Sequence, residues 1–104
     1  MVAAWNNKGN ALFDLGRVSE AQDAFEEALR LDPTLAHAWN GKGDVRYERA
    51  LYRKAIEAYS EALRLSPTDQ HALRGKANAL RHVGRKAEAA ALDEQRKRLS
   101  TSAR

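Results

Sequence analysis

A period of 34 residues runs through the chain and constrains its fold more than any local feature, because a regular repeat changes how every other residue is read. Trp5 returns as Trp39, Lys8-Gly9 as Lys42-Gly43, Ala28-Leu29-Arg30-Leu31 as Ala62-Leu63-Arg64-Leu65, and Pro33-Thr34 as Pro67-Thr68. Residues 2–35 and 36–69 share 14 identities over 34 positions. A weaker third copy, 70–103, keeps His71-Ala72, Gly75-Lys76, Ala89 and Arg98-Leu99-Ser100 in register. Three units fill the 104 residues, so a single domain, 1–104, is expected.

Each unit holds two helical patterns. Trp5, Gly9 and Leu12 fall on one helix face, and Ala21, Ala24, Phe25, Ala28 and Leu29 fall on one face of a second. The unit is therefore a helical hairpin and the fold class all-α. Gly16 supplies the turn, with Ser19 and Gln22 as a capping box for the second helix. Asp32-Pro33 and Ser66-Pro67 read as N-caps with proline in the first turn. Ala50 stands where Gly16 and Gly84 stand, and no glycine or proline lies between Asp44 and Leu65. That stretch carries two expectations: a hairpin turn that tolerates alanine, or one fused helix that would favour a domain-swapped dimer.

With these residues in view, Trp5-x2-Lys8-Gly9-x2-Leu12, Ala21-x3-Phe25 and Pro33, repeated as Trp39, Gly43, Ala55, Tyr59 and Pro67, resemble the tetratricopeptide repeat. The resemblance covers essentially the whole chain. It implies a right-handed solenoid of three antiparallel helix-turn-helix hairpins, 2–35, 36–69 and 70–103, that acts without catalysis. Lys8, Lys42 and Lys76 depart from the family's leucine, Arg46 from a large apolar residue and Ala50 from the turn glycine. The small residues Gly9 and Gly43 allow close helix approach, with the Trp5 and Trp39 rings expected beside them. Asp93, Arg96 and Lys97 stand where Phe25, Ala28 and Leu29 stood, which reads as a polar cap on the last helix.

The family's binding groove is lined by a stripe one residue along from the core stripe of the first helices. Here that stripe is Asn6, Asn10 and Phe13, then Asn40, Asp44 and Tyr47, then Arg74, Asn78 and Arg81, with His71 beside them. Amides bond a peptide backbone, aromatics anchor side chains, and arginine grips carboxylates. The expected partner is a peptide or helix segment of another protein, acidic or C-terminal. Substitution of Asn10 or Asn40 by alanine is expected to weaken it with little loss of fold. Some members clamp a C-terminal carboxylate with lysines, asparagines and an arginine. Of that set only Asn10 is kept, since Asn6, Gly41, His71 and Gly75 occupy the other positions, so the clamp in its full form is disfavoured.

Other functions are excluded or disfavoured by residue type. No phosphate-cradling glycine loop, nucleophile elbow or closely spaced ligand pair is present, and no cofactor, metal or enzymatic activity is expected. His37 and His71, 34 residues apart, read as solvent-lining residues of one repeat position. The net charge of +4 divides into −3, +1 and +6 across units 2–35, 36–69 and 70–104. All seven aromatics lie in the first two units, away from the basic one, which argues against nucleic-acid binding. No run approaches the ~20 apolar residues of a membrane span and there are no cysteines, so a cytoplasmic location is expected.

Overall fold

Helices form where apolar residues recur three and four apart. The computed structural model describes residues 2–102 as six of them: α1 (Val2–Asp14), α2 (Val18–Leu31), α3 (Ala36–Glu48), α4 (Tyr52–Leu65), α5 (Gln70–His82) and α6 (Lys86–Ser102). No strand occurs among the described residues. Short turns fold α1 onto α2, α3 onto α4 and α5 onto α6, and successive hairpins stack through α2 on α3 and α4 on α5. The result is an all-α solenoid of three hairpins.

The hairpin turns share one geometry. Arg17, Leu51 and Arg85 donate their backbone N–H to the carbonyls of Leu12, Arg46 and Leu80 at 2.9, 2.8 and 2.9 Å, the wide bond of a helix C-terminus closed by a left-handed residue. That residue is Gly16 or Gly84, with φ of 79° and 80°, or Ala50, with φ of 61°. The fused helix through Ala50 does not form, and the domain swap it would have supported loses its basis. The turn is held from outside as well: Arg49 donates to Ser19 Oγ at 2.7 Å and to Gln22 Oε1, and Arg46 donates to the Lys54 carbonyl at 3.0 Å. The left-handed region costs an L-residue about 1–2 kcal/mol. Ala50→Gly should therefore gain about 0.5–1 kcal/mol net of the added unfolded-state entropy, a change that urea denaturation measures directly. A loss of stability would contradict the account of this turn.

Two capping expectations fail. Ser19 and Gln22 are engaged by Arg49, and α2 begins at an N-cap, Arg17, that makes no side-chain cap bond. Asp32 and Ser66 are C-caps of α2 and α4, not N-caps of α3 and α5. Asp32 instead closes a turn, accepting from the Thr34 N–H at 3.0 Å and hydroxyl at 2.6 Å. The cap of α5 is Asp69, which accepts from Ala72 N–H at 3.2 Å.

The core is a row of aromatic rings seated on glycines. A Cβ at Gly9 would lie 2.6 Å from Phe25 Cε1, and one at Gly41 would come closer to the same ring. Tyr59 is gripped likewise by Gly43 and Gly75, where a Cβ would lie 2.7 and 2.5 Å from its ring. Each ring from the second helix of one hairpin thus bridges to the first helix of the next. Phe25 and Tyr59, not the half-buried Trp5 and Trp39, fill the space beside the glycines. Ala28 and Ala62 are fully buried beside them. The family-departing lysines also find a use: Lys8 and Lys42 lie over the Trp5 and Trp39 rings at 5.2 and 5.3 Å from the centroids. In the last hairpin Ala77, Leu80 and Ala89 form the core, while Asp93 and Arg96 of α6 are half-buried and paired with each other at 3.4 Å.

Candidate functional site

The first helices α1, α3 and α5 place the stripe residues side by side, and the structure divides the ten. A cavity of about 290 Å³ brings together Asn10, Asn40, Asp44 and His71 with His37 and Asp69. An adjoining one of about 150 Å³ shares Asp44 and His71 and adds Tyr47, Arg74 and Asn78. Asn6, Phe13 and Arg81 line neither of these.

Several stripe residues are committed to the fold. Asn6 and Asn40 are only 9% and 6% exposed. An offset of ~100° round an isolated helix would leave them in water, but the stacked neighbours cover them. Asn40 Nδ2 donates to Asp69 Oδ2 at 2.8 Å, tying α3 to the cap of α5. Asn40→Ala should thus cost stability as well as any binding, contrary to the expectation from sequence. Phe13 is half-buried against the core cluster of Leu12, Ala21, Ala24, Phe25 and Val45. Arg81 donates to Asn78 Oδ1 at 2.8 Å and pairs with Asp93 on α6. Tyr47 borders the smaller cavity, but its hydroxyl lies 3.0 Å from His82 Nε2 and its ring stands edge-on to Tyr52 at 5.3 Å. Tyr52 in turn stacks on His82 at 4.1 Å. His82, isolated in the sequence, thus joins a three-ring cluster at the turn end of α3, α4 and α5.

Asp44 is the centre of the polar network. Tyr59 donates its hydroxyl to Asp44 Oδ1, and His71 Nε2 lies 2.9 Å from both carboxylate oxygens. Burial, then the Asp44 charge, pushes the Tyr59 hydroxyl far above an ordinary phenol, so it remains a donor. The hydrogen bond to Asp44 raises the His71 imidazole above its ordinary 6.5, opposed by burial and by Arg74 and helped by the charges of Asp44 and Asp69. The raised folded value fixes the sign. The His71 contribution is fully present below the ordinary imidazole value and is lost as pH rises through the folded one. His71 is partly exposed, so the effect should stay below about 1 kcal/mol. Thermal melts of the wild type and His71→Gln should converge in stability between about pH 5.5 and about pH 8.5. Parallel profiles would remove the His71–Asp44 tie.

His37 and Asp69 lie outside the stripe that the sequence predicts for the groove. The signal for His37 is its recurrence as His71, and for Asp69 its position as a capping residue three before Ala72. Arg74 is exposed and makes no ion pair among the described residues, which leaves its guanidinium available. No group of three or more His, Asp or Glu able to hold a metal occurs among them either. No helix of the described residues is long and apolar enough to cross a membrane.

No curated protein matches the chain in sequence. Among solved structures, a crystal structure of MamA superposes with a TM-score of 0.91 at 24% identity, over 98% of this chain and 60% of that one. This chain therefore spans about three fifths of that MamA chain. The first and second TPRs of Spaghetti (RPAP3), each bound to the HSP90 peptide SRMEEVD, superpose with TM-scores of 0.90 and 0.86 at 19% and 18% identity. They cover 94% and 89% of this chain, and 80% and 86% of their own. At such identity these structures establish the shared fold. The sequence model of the tetratricopeptide repeat matches residues 6–69 and again 40–100, in step with the 34-residue period and the glycine-seated rings, and the chain belongs to that family.

Proposed function

We propose that this chain is a non-catalytic interaction module whose inner face, lined by α1, α3 and α5, binds an extended or helical segment of another protein. The observation that carries this reading is the pair of adjoining polar cavities on that face, into which three successive hairpins each contribute a side chain at one repeat position or its neighbour. Asn10 and Asn78 are suited to the backbone of a bound segment, and Arg74 to an acidic side chain or a terminal carboxylate at the basic end. The Spaghetti TPRs, whose structures hold an HSP90 peptide, support a peptide ligand in general terms.

The same reading treats 1–104 as one domain of three units, with α6 as its polar closing helix, acting in the cytoplasm. A nucleic-acid ligand is disfavoured, since Arg81, Arg85 and Arg96 of the basic unit are each paired with an acidic side chain. The test is selection of displayed peptides on the whole chain, followed by titration against variants. Asn10→Ala and Arg74→Glu should each weaken a selected peptide by about tenfold or more, with melting temperature within about 2 °C of the parent, as exposed substitutions permit. Unchanged affinity in both would reject the inner face as the binding surface.

A further inference from the structure

We propose that copies of this chain stack head to tail, the outer face of α1 in one copy seating on the outer face of α6 in the next, as α3 seats on α2 within a chain. The surface is separate from the groove, so the proposal stands whether or not a segment binds there.

The joints inside the chain define what such a contact needs. Three interactions cross the first joint, between α2 and α3. The Phe25 ring lies against Gly41, Arg49 donates to Ser19 Oγ and Gln22 Oε1, and the Glu26 carboxylate acts on the Lys42 ammonium. The second joint repeats the ring on glycine, Tyr59 against Gly75. The 34-residue period then names what each outer face offers at the same positions. On α6, two periods on, Asp93 stands at the ring position, Ala87 and Ala90 at those of Ser19 and Gln22, and Glu94 at that of Glu26. On α1, one period back, Asn7 stands at the position of Gly41, Leu15 at that of Arg49, and Lys8 at that of Lys42.

The members of each pair have changed together and still match. Where a long ring met a glycine, a short carboxylate meets a larger amide, and Asn7 can donate to Asp93. Asp93 also pairs with Arg81 and Arg96, but a carboxylate has roughly four acceptor sites. Where an arginine met a hydroxyl and an amide, Leu15 meets two alanine methyl groups, so both sides have turned apolar. Lys8 and Glu94 keep the opposite charges of Lys42 and Glu26. Within one chain these residues have no such partner: Asn7, Lys8, Leu15, Ala87, Ala90 and Glu94 are all exposed, and Leu15, at 71%, is the most exposed large apolar side chain of the described residues.

Charge sets the direction. Residues 2–35 carry −3 and residues 70–104 carry +6, so two first units or two third units repel while unlike ends attract. A contact between unlike faces leaves one of each free, so it extends into longer oligomers and does not stop at a dimer. The polar α6 closes the stack of one chain and receives the next copy.

Sedimentation velocity of the whole chain tests this. The mean mass should rise past that of a dimer between about 10 μM and about 1 mM, the range expected of a small interface. Ala11, exposed on α1, holds the position of Val45, which packs with Phe25 at the first joint. Ala11→Arg blocks the α1 face and Ala90→Arg the α6 face. Each variant should stay monomeric with a melting temperature within about 2 °C of the parent, as exposed substitutions permit. Mixed one to one, they should form a dimer and nothing larger, because each supplies the face that the other lacks. Lys8→Glu should weaken the assembly about fivefold or more, and adding Glu94→Lys in the same chain should restore it. A wild type that stays monomeric throughout, assembly that survives Ala11→Arg or Ala90→Arg, a mixture that does not pair, or a double charge swap no better than Lys8→Glu each overturns the proposal.

Discussion

Phe25→Ala should destabilise the chain by about 3–5 kcal/mol, the cost of emptying a large buried aromatic site that cannot collapse. Phe25 is 1% exposed and its ring is seated against Gly9 in its own hairpin and Gly41 in the next. Its removal therefore loosens the packing within the first hairpin and the joint to the second at once. The glycines have no side chains that could move in to fill the space, which puts the expected value toward the upper part of the range. A domain of this size has little stability in reserve, so the variant should be largely unfolded near room temperature. Urea denaturation of wild type, Phe25→Leu and Phe25→Ala should rank them in that order. A loss under about 1 kcal/mol for alanine would show that the hairpins are joined by something other than this ring.

Gly41→Ala should be nearly as informative in the opposite sense, because it adds a methyl group where the ring already sits. A clash with the far end of a side chain is cheap when that side chain can swing aside. Phe25 has little room to do so, since it is 1% exposed and the Gly9 backbone lies close against the same edge of the ring. The substitution should cost about 1–3 kcal/mol through overpacking, against the modest helix-propensity gain that alanine brings. The double variant Gly41→Ala, Phe25→Leu should recover part of that loss, a non-additivity that a double-mutant cycle reads directly. Simple additivity of the two changes would contradict the ring-on-glycine joint.

The fold is legible in the sequence because a period of 34 and helical spacing within each period agree, and local pattern and stacking then demand the same helices. Recurrence also exposes the lysines at family leucine positions, and their use becomes clear only with Lys8 and Lys42 placed over Trp5 and Trp39. Local chemistry with two physical outcomes is harder to read. An aspartate before proline suits a helix start, yet Asp32 ends α2 and folds its side chain onto Thr34, so that α3 begins only at Ala36. Alanine in place of a turn glycine suggests a continuous helix. The Arg49 bonds to Ser19 and Gln22 lie 27 to 30 residues away in sequence, and that support for the Ala50 turn is invisible to a local pattern.

The inner face is legible as a set of helix positions and less so as a set of open side chains. Asn10, Asp44, His71, Arg74 and Asn78 do come together around the two cavities. Asn6 and Asn40 lie on the same stripe but are covered by stacking, a tertiary effect that a single-helix projection cannot contain. Arg81 is drawn off by Asp93, twelve residues on, across the third hairpin. His37 and Asp69 escape a sequence reading because each, taken alone, has a sufficient local explanation as a solvent residue or a cap.

The most direct check of the groove is to saturate the whole chain with a peptide selected on it and map the amide shifts. The account expects the large shifts on α1, α3 and α5, centred on Asn10, Asp44, Arg74 and Asn78, with α2, α4 and α6 little changed beyond their contacts with those helices. Large shifts confined to the outer helices, or to the exposed side of α6, would contradict it.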